Sequence, residues 1–200
     1  MKVCKYIVLL VAVFLIVACE QKAAKSTDQE VADAPDTTDA STISPEQLIS
    51  PGLSIGQIKL DGNLADAIKL LGKPDGGDAA MGSALATWYA NHDTTGYRTS
   101  IFASRTMGGA DENIQHIKKI LVTSPWFKTA DFISTGNNRQ DIAKFYTLKE
   151  GNSYTAGGQK IKTYSDIPKG ISFEIDAQGK CVGILVHQPN STAGTYLDMH

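Results

Sequence analysis
The sequence predicts an α+β domain built as two tandem repeats. Each repeat is a short helix followed by three antiparallel strands, with both helices packed on one face of the sheet. Three observations carry this. Leu64, Ala67, Ile68 and Leu71 fall at i, i+3, i+4 and i+7, the apolar face of one helix. Residues 170–176 alternate Ile171, Phe173, Ile175 against Ser172, Glu174, Asp176, the pattern of a strand with one face inward. Gly62-Asn63 recurs as Gly136-Asn137 and Ile68 as Ile142 at a common offset, which points to an internal duplication.

The elements follow in order. Asp61 or Asn63 caps the first helix. Gly72 and Pro74 stop it, because glycine accepts the left-handed conformation and proline cannot continue a helix. Extended stretches follow at 84–90, 97–104 and 114–122, divided by Gly-rich and polar clusters at 91–96 and 106–113. The second unit places Ile142, Phe145 and Tyr146 on one helical face. Extended segments come after it at 160–164 and 170–176, and again where Val182, Ile184 and Val186 alternate. The boundaries read 45–124 for the first repeat, 125–188 for the second and 189–200 for a loose, polar C-terminal tail.

The amino-terminal part reads differently. Lys2 and Lys5 precede a wholly apolar run from Tyr6 to Val17, the arrangement of an export signal. At about 1.5 Å per residue the run gives roughly 18 Å of helix, too short for a hydrocarbon core of about 30 Å. It ends in Ile16-Val17-Ala18-Cys19, which resembles the lipobox of bacterial lipoproteins, with Val17 where serine or alanine is usual. The resemblance implies cleavage of residues 1–18, lipidation of Cys19 and attachment to a lipid bilayer, since two or more acyl chains suffice for stable anchoring. Residues 19–44 are polar with almost no large apolar side chain, a flexible tether with a reach of about 25–30 Å. The expected location is the cell envelope, lipid-anchored to the outer membrane or to a periplasm-facing membrane.

Composition excludes some functions. The 200-residue chain has a net charge of −2 and no basic stripe, which argues against nucleic acid as a partner. Of the 3 cysteines, Cys4 lies in the signal and Cys19 is lipidated, which leaves Cys181 without an intramolecular partner. It is either a reactive or intermolecular thiol or a small residue half buried in a strand. His92, His116, His187 and His200 show no metal-ligand spacing, and the acidic 108–113 segment lacks the ligand order of a calcium loop. No Gly-x-Ser-x-Gly elbow, phosphate loop or dinucleotide fingerprint occurs. No cofactor, metal or catalytic residue is expected. Trp88, Tyr89, Tyr97, Phe102 and Trp126 form the candidate interaction face, since aromatic side chains anchor protein interfaces.

Leu53-Ser54-Ile55-Gly56, Leu71-Gly72-Lys73-Pro74-Asp75 and Trp88-Tyr89 resemble the helix–sheet repeat of small outer-membrane lipoproteins of the SmpA/OmlA (BamE) type. The tandem arrangement, with Gly170-Ile171-Ser172-Phe173-Glu174 and Cys181-Val182-Gly183-Ile184-Leu185-Val186 as later strands, is similar to the β-lactamase inhibitor protein family. The likeness spans roughly residues 50–188 and departs from the pattern at Thr147-Leu148-Lys149-Glu150-Gly151. It implies a membrane-tethered, non-catalytic protein-interaction module, a scaffold or inhibitor, with an envelope protein as partner. The alternatives are a small-ligand or metal sensor that uses the loops at 91–96 and 106–113, and an envelope hydrolase.

Overall fold
The computed structural model describes residues 42–195 and 197–200. The export signal, Cys19 and nearly all of the tether lie outside the described residues. No described helix is long and apolar enough to cross a membrane.

The architecture is dominated by sheet. Strands β1 (Leu48–Ser50), β2 (Ser54–Ile55) and β3 (Ile58–Lys59) precede helix α1 (Leu64–Leu71). Four strands then follow: β4 (Gly76–Ala80), β5 (Ser83–Tyr89), β6 (Arg98–Ser104) and β7 (His116–Val122). After β8 (Lys128–Thr129) and the one-turn helix α2 (Arg139–Ile142), four more follow: β9 (Lys149–Ala156), β10 (Gln159–Asp166), β11 (Ile171–Ile175) and β12 (Cys181–His187). The large sheet has 8 strands in the order β4-β5-β6-β7-β12-β11-β10-β9. All its pairs are antiparallel. A small sheet has 4 strands in the order β3-β2-β1-β8, with β1 and β8 parallel.

The expected pair of helix-plus-three-strand repeats is therefore corrected, and with it the resemblance to SmpA/OmlA-type and β-lactamase-inhibitor-type repeats. The only described α-helices are one of 8 residues and one of 4. Each precedes a meander of four strands, not three, and the β7–β12 pairing makes the two meanders one sheet. The boundary between 124 and 125 separates no folded units, because β1 from one side pairs with β8 from the other. The sequence hid the four short strands of the small sheet and, in the large sheet, the two edges. β4 is Gly-Gly-Asp-Ala-Ala and β9 is Lys-Glu-Gly-Asn-Ser-Tyr-Thr-Ala. Both are poor in β-branched residues, and such polar or glycine-rich edges discourage pairing with other chains.

Helix α1 forms as its signals require. The Asn63 side chain accepts from the Ala65 N–H at 3.0 Å, and Gly72, at φ +83°, donates its N–H to the Ile68 carbonyl. Helix α2 uses Asn138, not Asn137, at the cap position, because the Asn137 side chain accepts from the Ser134 N–H at 2.7 Å. Counted from the caps, Ile142 occupies the place of Ala67, not of Ile68. Ile142 is fully buried, Ala67 is buried and Ile68 is only half-buried. Phe145, expected on the inner face of the second helix, is 45% exposed.

The main core lies between one face of the large sheet and the elements packed on it. Ile101, Ile120, Phe173 and Ile184 from the large sheet meet Ile49 and Ile55 from the small sheet, Leu64 and Ala67 from α1, and Ile142 from α2. Replacing Ile142 with alanine is predicted to cost about 2–5 kcal/mol, while Ile68→Ala costs under about 1.5 kcal/mol. Urea denaturation of both variants checks this, and equal losses would contradict the assignment.

Candidate interaction groove
Every residue of β11 is buried, including Ser172 and Glu174, which the alternation assigned to solvent. The second face of the large sheet is covered as well. Alternation and register bring Arg98, Ser100 and Phe102 on β6 onto this face, with Lys119 and Leu121 on β7. Leu185 and His187 on β12 join them, followed by Ser172 and Glu174 on β11. Residues 192–195 and 197–200 cover it. Leu197 and Met199 are buried against Phe102, Leu121 and Leu185. The tail that read as loose is thus a strap, and its apolar residues two apart in a polar stretch were the overlooked signal. Ser100 Oγ donates to the Met199 carbonyl at 3.2 Å, and Lys119 Nζ donates to the Gly194 carbonyl.

Glu174 sits at the polar end of this groove with its side chain only 4% exposed. Its carboxylate lies across Gly183, where any Cβ would overlap Glu174 Oε2. Glycine in mid-strand here makes room for a close approach. Tyr154 donates its hydroxyl to Glu174 Oε2 at 2.9 Å, and the Tyr154 ring stacks on the His200 imidazole at 3.7 Å and 11°. His200 Nδ1 lies 3.5 Å from Glu174 Oε1. Arg98 Nε is buried with no hydrogen-bond partner among the described residues.

Burial sets the electrostatics. It pushes the Glu174 carboxyl up to about 7, against the Tyr154 hydrogen bond and the Arg98 charge, while Asp198 adds to the rise. It lowers the His200 imidazole to about 4 and the Lys119 ammonium to about 8. Between the strap and strands β9 and β10 lies a cavity of about 500 Å³, lined in part by Glu150, Ser153, Tyr154 and Thr163.

A second polar chain runs beneath. Ser165 and Ser172 hydroxyls are 2.7 Å apart, and Ser172 Oγ lies 3.0 Å from His187 Nε2. His187 Nδ1 faces the Gln188 carbonyl at 3.0 Å, so Nδ1 carries the proton and Nε2 accepts from Ser172. This is the pairing of a nucleophile and its base. Both residues are fully buried, however, and closed to a substrate in this conformation.

The aromatic residues singled out from sequence do not form one face. Trp88 is in the main core, its indole N–H bonded to the Gly72 carbonyl at 2.9 Å. Phe102 lies on the opposite face beneath the strap. Tyr89 is half-buried, while Tyr97 and Trp126 are exposed, Trp126 edge-on to Phe127 at 4.9 Å. Neighbours along a strand point to opposite faces, which is what separates Trp88 from Tyr89 and Ile101 from Phe102. His92 pairs with Asp75 at 2.6 Å, and His116 with Asp111 at 2.7 Å. Among the described residues no group of 3 or more His, Cys, Asp or Glu side chains is placed to hold a metal ion. Cys181 is buried, and that burial raises its thiol pKa and makes it unreactive.

The fold and groove define a sheet domain whose second face holds a segment of its own chain. No family model and no curated protein matches the chain. Among solved structures it is similar to an extracellular protein containing an SCP domain from Bacillus anthracis str. Ames, at 12% identity and a TM-score of 0.39. That likeness covers 66% of this chain and 44% of the other, so the chain spans less than half of that protein's length.

Glu174 makes stability depend on pH. Its pKa is higher folded, at about 7, than its ordinary 4.5, so the folded state binds the extra proton between those values. The carboxyl's contribution is complete below the unfolded value and is lost as pH rises through 7. Relative to Glu174→Gln, the native chain is predicted to lose about 2–3 kcal/mol between pH 5 and pH 8. Lys119 is common to both proteins and drops out of the difference; repeating the pair in a His200→Ala background removes the titration of His200, which lies 3.5 Å from Glu174. Urea denaturation of the pair at both pH values measures it, and a constant difference would contradict the burial of the carboxyl.

Proposed function
We propose that this chain is a cell-envelope lipoprotein anchored through acylated Cys19, and that its sheet domain is a non-catalytic protein-interaction module. The observation that carries the reading is the strap. A sheet face that seats a segment of its own chain through two buried apolar side chains and two side-chain-to-carbonyl hydrogen bonds is equipped to seat a segment of a partner. The bonds from Ser100 and Lys119 go to backbone carbonyls, so they tolerate many sequences. The lipobox resemblance supports the anchor, and the polar tether gives the domain room to meet envelope proteins near the membrane.

A second reading, small-ligand binding, is favoured by the cavity of about 500 Å³ beside Glu174 and Tyr154, a size common for ligand pockets. A ligand held there would protect the domain against heat without any partner protein.

Site-specific photo-crosslinking in intact cells tests the module. A photoreactive side chain at Ser153, on the groove rim, is expected to give a discrete protein adduct. The same group at Leu70, exposed on α1, gives none. Adducts from Leu70 alone would move the interface to the helix side. Mass spectrometry tests the anchor: the mature chain carries an acylated amino-terminal Cys19, and Cys19→Ala is neither acylated nor processed. Normal processing of that variant would remove the lipoprotein assignment.

A further inference from the structure
We propose that residues 192–200 are a built-in competitor for the groove, displaced by a partner peptide that reproduces the strap: a segment with two apolar side chains two residues apart and a histidine next to the second. This rests on the interaction reading above and names the chemistry of the partner.

Three observations carry it. The groove has a built polar end, since Glu174 is buried, aimed into the groove and given its space by the missing side chain of Gly183. The group seated there is an imidazole, held between the Tyr154 ring at 3.7 Å and Glu174 at 3.5 Å. Histidine suits that place. Its flat ring stacks on Tyr154 while a ring nitrogen faces the carboxylate. Next to it, the Leu197 and Met199 side chains fill apolar seats on Phe102, Leu121 and Leu185.

The second observation is how lightly the strap is bound. It is not a strand of the sheet, and its described cross-chain hydrogen bonds to the groove come from the side chains of Ser100 and Lys119. Another chain offering carbonyls at the same places satisfies the same donors. The base of the strap is fixed separately, by the Asn190 N–H on the Ile167 carbonyl at 2.8 Å, so its distal part can leave without unravelling β12.

The third is the cavity of about 500 Å³ beside the strap, against β9 and β10. A tethered strap competes at an effective concentration in the millimolar range. An isolated peptide with only the strap's contacts is therefore held off, and so is the strap of a second copy. A partner segment that also fills the cavity has contacts the strap lacks. That difference commits the groove to a foreign segment.

The test uses the full-length chain and a fluorescent synthetic peptide spanning Ser191–His200. Leu197→Asp with Met199→Asp unseats the strap. The peptide is expected to bind this variant at least roughly tenfold more tightly than the wild type. Replacing the peptide's histidine by alanine weakens binding several-fold, and Glu174→Gln in the same variant erases that preference. Equal binding to wild type and unseated variant would overturn the proposal, as would no binding to an unseated variant with native circular dichroism. Should the variant fail to fold, the wild type decides. Peptide raised to roughly tenfold above the strap's millimolar effective concentration is expected to shift the Leu197 and Met199 methyl resonances to unstructured positions, and unshifted methyls there overturn the proposal. Concentration-dependent dimers that exchange the strap would assign the groove to a second copy instead. A discrete crosslink from Ser153 together with a peptide that does not bind leaves the interaction module in place and removes only the competitor.

Discussion
The pairing of β7 with β12 is the constraint on which the rest of the structure depends. It sets Ile184 opposite Val122, Leu185 opposite Leu121, Val186 opposite Ile120 and His187 opposite Lys119. These pairs join two meanders into one sheet of 8 strands and place the seam at its centre. A central strand has no free edge, and its side chains alternate between faces, so both faces at the seam must be covered. The small sheet and the two helices cover the face carrying Ile120, Val186 and Ile184. The face carrying Leu121, Leu185, Lys119 and His187 is left to the strap and the turn after β12.

That second cover is partly polar, and the hydrogen bonding follows from it. A buried polar group without a partner costs about 1–3 kcal/mol. Ser100, Lys119, Ser165, Ser172 and His187 all find partners on this face. Among the described residues Glu174 has Tyr154 as its hydrogen-bond donor, with His200 near, and it stays a group whose charge is disfavoured by burial. A face of this kind is closed by its own chain at a modest margin, which is what an exchangeable seat requires.

Much of the main core was legible in sequence because it obeys local periodicity. The alternation of β11 and β12 and the caps of α1 are read directly from residue order. The edge strands were not legible, since Gly76–Ala80 has no β-branched or aromatic side chain and Lys149–Ala156 has only Tyr154 and Thr155 at one end of a polar stretch. The repeat offset misled for a local reason: Asn137 is occupied by the Ser134 backbone, which passes the cap to Asn138 and shifts Ile142 onto the place of Ala67. The groove was hidden for a different reason. Glu174 reads as an outward residue in any period-2 pattern, and only long-range packing of Leu197, Met199 and their described neighbours converts that outward face into an interior. Leu197 and Met199 carried the one local hint.

The central claim is that the strap lies on this face in solution. Methyl NOE spectroscopy on the full-length chain tests it most directly. Cross-peaks are predicted between the Leu197 and Met199 methyls and those of Leu121 and Leu185, with the Leu197 and Met199 signals shifted by the Phe102 ring. Leu197 and Met199 methyls at unstructured positions, with no cross-peaks to β7 or β12, would contradict it.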